Sequence, residues 1–138
     1  MVEWHIRDDK KPSGGKRNSA NARTKLLSSR GGVAALTKTD STVEENRIET
    51  KKGLGKTKKV RALALKHANV SDGHGKTIKA QIISVKENNA NRLFSRANIS
   101  TKGAIIRVKV DENEKLAIVK NRPGQEGVVN AVLVEQNS

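Results

Sequence analysis

The residues of this chain best suited to chemistry are lysines clustered around a glycine turn. Residues 53–57 read Gly-Leu-Gly-Lys-Thr, which matches the end of a nucleotide-binding phosphate loop. The full pattern requires glycine at position 50, where this chain has Thr50, and the sequence that follows has strand character rather than helix character. We therefore predict a flexible turn whose lysines approach phosphates: Lys51, Lys52, Lys56, Lys58 and Lys59. The alternatives are a plain hairpin turn with solvated lysines and, far less favoured, a nucleotide hydrolase.

Two further loops combine glycine with basic residues. Residues 98–107 contain Lys102, and residues 120–127 contain Lys120 and Arg122. Glycine permits a positive φ or a close backbone approach, so both loops suit phosphate binding at the rim of a barrel. Hairpin turns that contact nothing explain the same pattern equally well.

The sequence gives no support to catalysis or metal binding. The three histidines, His5, His67 and His74, fit no zinc spacing, and the chain has no cysteine to complete a site. No nucleophile stands in a recognisable elbow, and no histidine pairs with a carboxylate at a suggestive spacing. We predict no enzymatic activity, no cofactor, no metal and no small-molecule substrate.

Charge and composition indicate a polyanionic partner. The chain of 138 residues carries a formal net charge of +14, with +10 in residues 1–66 and +4 in residues 67–138. Such asymmetry favours a basic arm joined to a more balanced folded part. A merely solvated charged surface is the alternative, but self-repulsion of this size disfavours it.

The same composition excludes other classes of protein. Aromatic residues are nearly absent, so the core must consist of Val, Ile, Leu and Ala. The sequence has no apolar run of the roughly 20 residues that a membrane span needs, and no signal-peptide core near its start. Together with the lack of cysteine, this predicts a soluble protein of a reducing, intracellular compartment that does not bind membranes.

The elements that must position these cations are β-strands. Residues 1–42 are rich in Ser, Gly, Asn and basic residues, and we predict an arm that is extended or disordered when free, with only a weak helix signal at residues 22–27. Residues 43–138 hold six candidate strands, at residues 43–51, 59–67, 77–86, 104–110, 115–120 and 128–135. This favours an all-β fold, a small β-barrel of about six strands, over a sandwich, because closure removes exposed edges.

Several blocks, in order along the chain, resemble one known family. They are Trp4, KPSGGK at residues 11–16, KVRAL at 59–63, ANV at 68–70, ENNANR at 87–92, TKGAII at 101–106 and RPGQEGVVNAVL at 122–133. These blocks are similar to small-subunit ribosomal protein eight of the archaeal and eukaryotic type, and the length is similar to that of archaeal members. The resemblance implies a β-barrel with a basic N-terminal arm, bound to small-subunit ribosomal RNA and neighbouring ribosomal proteins in the cytoplasm.

Basic residues of the arm and the barrel loops are the predicted RNA contacts. In the arm they are Lys10, Lys11, Lys16, Arg17, Arg23, Lys25 and Arg30. In the barrel domain they are Lys51, Lys52, Lys56, Lys58, Lys59, Arg61, Arg96, Lys102, Lys120 and Arg122. The alternative function is a ribosome-assembly factor, which binds precursor particles and then leaves them.

Overall fold

The computed structural model describes residues 3–5, 8–18, 25–53, 55–72, 75–110 and 113–134, with the backbone only for Glu3. The chain divides into two compact units, Met1–Ala34 and Ala35–Ser138. The predicted arm therefore covers the first unit and the first few residues of the second. Within the described ranges, no helix has the length and apolar character needed to cross a membrane.

The first unit contains two very short strands. β1 (Glu3–Trp4) pairs antiparallel with β2 (Arg30–Gly31), and a 3-10 turn (Leu27–Ser29) precedes β2. Of the weakly predicted helix at residues 22–27, the first three residues lie outside the described ranges, and the next two are not helical.

The second unit is built on a closed barrel with the strand order β5-β6-β7-β8-β9. Its strands are β5 (His67–Ser71), β6 (Thr77–Glu87), β7 (Ile105–Val110), β8 (Asn113–Val119) and β9 (Asn130–Leu133). Neighbouring strands are antiparallel except β5 and β9, which pair in parallel and place Asn69 opposite Asn130. The predicted all-β barrel is confirmed, with five strands in the barrel rather than six.

The two strands that precede the barrel form a hairpin of their own. β3 (Arg47–Lys52) and β4 (Lys58–Ala64) make a separate two-stranded antiparallel sheet. The predicted strand at residues 59–67 was too long at its C-terminal end, because β4 ends at Ala64 and a new strand, β5, begins at His67. The sequence analysis did not predict β5 as a strand.

Aliphatic side chains fill the barrel, as the composition predicted. Ile82, Val70, Ile106, Val108 and Val119 are among the largest fully buried side chains. β7 follows the predicted alternation, with Ile106, Val108 and Val110 buried and the two basic residues between them exposed. The small residues Ala80, Ala104, Ala117 and Ala131 are also buried, which lets the strands of a narrow barrel approach one another.

A β-bulge changes the predicted facing of β6. Ala80 and Ile82 point inward, and the register with β7 shifts between Ile82 and Ser84. A bulge inserts one extra residue into a strand, which moves every later side chain to the other face. Val85 is therefore buried, whereas strict alternation from Ile82 would place it on the outer face. A second register shift follows between Val85 and Glu87.

The second unit also contains two short helices that the sequence analysis did not predict. α1 (Arg92–Arg96) begins after Asn91, whose side chain accepts a hydrogen bond from the backbone N–H of Leu93 (2.9 Å). α2 (Pro123–Glu126) starts with proline, which suits the first helical position, and ends at Gly127 in the left-handed region (φ +79°).

Residues 35–42 pack within the second unit. The backbone N–H of Lys38 donates to Leu63 O (2.8 Å), and Leu65 N–H donates to Lys38 O (2.9 Å). Thr37 and Thr39 are fully buried, and Thr37 Oγ1 donates to Ala62 O (2.8 Å). This segment therefore lies beside β4 as an additional extended segment of the folded unit.

Asp40 makes the folded state of this segment sensitive to acid. The backbone N–H and side chain of Thr42 hold the pKa of Asp40 below its ordinary value of 3.8, with a further contribution from the Asn98 side chain. Because the folded-state pKa is depressed, this stabilisation is fully present above the ordinary pKa and is lost as pH falls through the folded value. We expect the free energy of unfolding to drop less steeply with acid in Asp40→Asn than in the wild type, as measured by urea denaturation from pH 6 to pH 2. The exposed Glu45→Gln variant serves as the control, and an unchanged acid dependence in Asp40→Asn would contradict the expectation.

Candidate nucleic-acid interface

The barrel topology brings two predicted basic loops to the same end. β6 and β8 end there, and β7 and β9 begin there, because each pair of neighbours is antiparallel. We call this end, formed by residues 88–104 and 120–129, the rim. The backbone N–H of Gly103 donates to Val119 O (2.7 Å). Lys102 precedes Gly103 and Lys120 follows Val119, so this hydrogen bond brings the backbones of the two exposed lysines close together. Gly103 adopts the positive φ (+86°) that its sequence context suggested.

An asparagine holds the loop that carries Arg122. Asn121 Nδ2 donates to Glu126 Oε2 (2.9 Å) and to Val128 O (2.8 Å), and Asn121 Oδ1 accepts from Asn130 N–H (3.0 Å). These bonds tie both ends of α2 to the start of β9. The exposed Arg122 therefore projects from a backbone whose position is well defined, which favours a specific contact over a diffuse one.

The β3–β4 hairpin carries the densest positive charge of the described residues. Lys51 lies opposite Lys59, and Lys52 lies opposite Lys58. Like charges in directly opposite positions destabilise a strand pair, so the stability of the hairpin does not explain why lysines occupy these positions. From residue 50 to residue 71 the sequence itself contains no Asp or Glu. We call residues 51–59 the tip; its charge pattern suits a partner that supplies negative charge.

The glycine motif lies in the turn of this hairpin. Gly53 N–H donates to Thr57 O (2.8 Å), and Gly55 adopts a positive φ (+66°). Strands flank the turn on both sides, whereas a phosphate loop of the nucleotide-hydrolase type needs a helix after it. The structure agrees with the predicted glycine turn between strands, and Lys56 is exposed within it.

The hairpin packs against the rim through α2. A Cβ atom at Gly127 would lie 2.6 Å from Cγ1 of Val60, and Gly127 is buried with a positive φ. Glycine at this position lets β4 approach the end of α2 closely. Since Val60 directly follows Lys59, this contact brings the tip next to the loop that carries Arg122.

Arg61 differs from the other predicted contacts. It is buried (9% exposed), and its guanidinium donates twice to Glu49 Oε2, from Nε at 2.9 Å and from Nη2 at 2.6 Å. This ion pair joins β3 to β4, with Glu49 directly opposite Arg61 in the register. An RNA contact by Arg61 stays a prediction. In the structure Arg61 joins the two strands of the hairpin through its ion pair with Glu49.

The remaining predicted contacts are distributed over both units. In the first unit, Arg17 is half-buried and its Nε donates to Lys10 O (3.1 Å), whereas the other described predicted contacts are exposed: Lys10, Lys11, Lys16, Lys25 and Arg30. Arg23 lies outside the described residues. In the second unit, Arg96 is exposed at the end of α1. The sequence analysis missed Arg92, an exposed cation at the start of α1, because the helix itself was not predicted.

The described residues contain no metal-binding cluster, that is, no group of three or more His, Cys, Asp or Glu side chains able to hold a metal ion. Burial lowers the pKa of His67, and the charges of Lys79 and Lys66 lower it further, so this histidine tends to stay neutral. The second unit is thus a small β-barrel with a cationic tip and rim, the kind of surface by which proteins bind nucleic-acid phosphates.

Comparison with known proteins gives the family. The family model for ribosomal protein S8e matches residues 4–134, and this chain belongs to that family. It is 37% identical to the small ribosomal subunit protein eS8 of Methanocorpusculum labreanum over 133 residues, which cover 96% of this chain and 98% of the relative. It is 33% identical to eS8 of Methanoregula boonei over 95% of this chain and 98% of that protein. With eS8 of Haloarcula marismortui the identity is 46% over 70% of this chain and 74% of the relative.

The family confirms the resemblance stated from the sequence blocks. Similarity to archaeal proteins extends over nearly the whole chain, as predicted. Membership in a family of ribosomal proteins also makes this protein a structural component rather than an enzyme, in agreement with the sequence analysis.

Proposed function

We propose that this protein is a structural component of the small ribosomal subunit that binds small-subunit ribosomal RNA through its tip and rim. The observation that carries the proposal is the tip, where five lysines lie within nine residues and the exposed Lys52 lies directly opposite the exposed Lys58. A polyanion that binds there removes the repulsion and releases its own counterions, so both partners gain. The names of the archaeal relatives support a place in the small subunit, and hence in the cytoplasm.

The chemistry of the tip and rim favours contacts to the RNA backbone. Lysine supplies a point charge that suits phosphate oxygens, and Arg122 can bind a phosphate with two parallel hydrogen bonds. A-form RNA hides its base edges in a deep groove, and bases are otherwise read by stacking on aromatic side chains. Since this chain has only Trp4 and Phe94, we propose that it reads the shape, phosphates and 2′-hydroxyls of folded rRNA.

The exposed cations of the first unit are further candidates for RNA contacts. Lys10, Lys11 and Lys16 lie in and around a tight loop in which Lys11 N–H donates to Gly15 O (2.8 Å). We propose that these residues, together with Arg17, Arg23, Lys25 and Arg30, contact rRNA and that neighbouring ribosomal proteins adjoin the folded units. Each contact positions the protein on the RNA without reading sequence, so single alanine changes should have mild, additive effects.

Co-sedimentation tests the proposal. Tagged full-length protein, expressed in an archaeon, is expected to travel with mature small subunits and translating ribosomes through a high-salt sucrose gradient. Presence only in precursor particles would instead indicate the assembly factor, and absence from both would overturn the proposal. A second expectation concerns purified components: with about 6–10 phosphates contacted, affinity for rRNA should fall by about 10³–10⁵ from 50 to 200 mM salt. Filter binding measures this, and an affinity indifferent to salt would contradict the proposal.

A further inference from the structure

The outer wall of the barrel carries basic residues that the proposed interface does not use. Arg107 and Lys109 are exposed on β7, Lys86 is exposed on β6, and Lys115 is exposed on β8. We call these residues the wall patch. Three of them, with Glu114 and Leu116, line a shallow open cleft of about 220 Å³.

The strand register fixes the position of this patch. Arg107 lies opposite Ser84 on one side and Leu116 on the other. Its side chain must point outward because Ile106 and Val108, its neighbours in sequence, are fully buried in the barrel. From Gly103 at the rim to Arg107 is a distance of roughly 13 Å at the usual rise per strand residue. Arg107, Lys109 and Lys115 are therefore displaced from the rim along the strand direction, whereas Lys86 lies two residues before it.

The charge balance of the wall patch favours an anionic ligand. Of the described residues that line the cleft, Lys86, Arg107 and Lys115 are cations and Glu114 is an anion. Glu114 lies directly opposite Lys109 in the register, where opposite charges stabilise a strand pair. Glu114 therefore has a partner within the sheet, and the described residues that line the cleft keep an excess of positive charge.

The shape of the cleft indicates which kind of ligand it can bind. Small-molecule sites are deep clefts of about 300–1,000 Å³ that enclose most of their ligand. This cleft is smaller, open and crossed by three strands, so it suits an extended chain that passes over the surface. The half-buried Leu116 offers an apolar floor between the cations. A sugar–phosphate backbone presents anionic phosphates in alternation with riboses, and the C–H groups of a ribose can pack against an apolar side chain.

We propose that the wall patch is a second RNA-binding surface, which contacts a segment of rRNA different from the one at the tip and rim. This inference rests on the proposed function and extends it, because a barrel that binds RNA at its rim and on its wall connects two RNA segments. Arg107 supplies the directional contact, with a planar guanidinium suited to phosphate, and the three lysines add charge.

Directed hydroxyl-radical probing tests the inference on the full-length protein. The chain has no cysteine, so a single introduced cysteine can carry an iron chelate at one chosen place. The probes are Lys109→Cys on the wall and Lys102→Cys at the rim, each bound to transcribed archaeal small-subunit rRNA. We expect the wall probe to cleave nucleotides in a segment that the rim probe leaves intact.

Each other outcome of this experiment is informative. Cleavage from the rim probe alone would overturn the wall patch while leaving the proposed function in place. Cleavage of the same nucleotides by both probes would overturn the second segment. Cleavage from neither probe would reject the proposed function itself, and the wall patch with it. The cysteine-free wild type, treated with the same reagent, gives the background.

A charge-matched pair of variants provides an independent measurement. Arg107→Gln with Lys109→Gln removes two wall charges, and Arg47→Gln with Lys76→Gln removes two exposed charges outside the tip, the rim and the wall patch. The wall variant is expected to make the slope of log affinity against log salt shallower by about 1.5, as two lost phosphate contacts require. The control is expected to retain the wild-type slope, and equal slopes in the two variants would overturn the inference.

Discussion

Replacing the five lysines of the tip by glutamine is expected to lower the affinity for small-subunit rRNA on the order of a hundredfold or more at low salt. The slope of log affinity against log salt should become shallower by about 4, since each phosphate contact contributes roughly 0.7–0.9. The residues are Lys51, Lys52, Lys56, Lys58 and Lys59. Filter binding at several salt concentrations measures both quantities.

The same variant separates binding from folding. Lys52 and Lys58 are both exposed and lie directly opposite each other, so removal of these charges takes away an unfavourable pair. We expect thermal stability to stay the same or to rise slightly while RNA affinity falls. The matched control replaces the five lysines by arginine, which retains the charge and should retain most of the affinity. A glutamine variant with wild-type affinity and salt slope would contradict the assignment of the tip as the main RNA contact.

Ile106→Ala is expected to destabilise the protein by about 2–5 kcal/mol, because it leaves a cavity in the middle of the barrel. Ile106 is fully buried, and the strands on both sides are tied to it by the closed hydrogen-bonded ladder. A small domain has only about 5–15 kcal/mol of stability in all, so this one change removes a large part of it. Urea denaturation of the full-length protein measures the effect as a shift of the midpoint.

A second isoleucine provides the control for this change. Ile78, the second residue of β6, is 38% exposed and lies opposite Val70 near one end of the same barrel. Ile78→Ala removes the same atoms from a site open to water, so it should cost much less than Ile106→Ala. Equal destabilisation by the two variants would show that burial in the barrel does not set the cost.

The strands that the sequence predicted well are those with strict alternation and clear ends. In β7, Arg107 and Lys109 separate three buried aliphatic residues, so both the strand and its facing could be predicted. The glycines around Lys56 likewise identified the turn of the hairpin. Local pattern is sufficient where each residue's environment depends on its neighbours in sequence.

Other features could not be predicted because they depend on distant residues. β5 is short and offers only Ala68 and Val70 as apolar positions, and its parallel partner β9 follows many residues later. The bulge in β6 leaves no mark in composition, although it reverses the facing of Val85. In the interface, Arg61 looks like its basic neighbours in sequence. Only the register of β3 with β4 shows that the guanidinium of Arg61 is paired with the carboxylate of Glu49.

The parallel pairing of β5 with β9 determines the order in which the barrel can fold. Asn69 and Asn130, joined across this seam, are 61 positions apart in sequence, whereas β6, β7 and β8 pair with their immediate successors. Closing so long a loop delays the contact relative to the local hairpins. Before β9 has been synthesised, β5 and β8 each retain an open edge, and open edges pair readily with other chains. A nascent chain that stops short of β9 is therefore a species prone to aggregation, and the seam is the last part of the barrel to form.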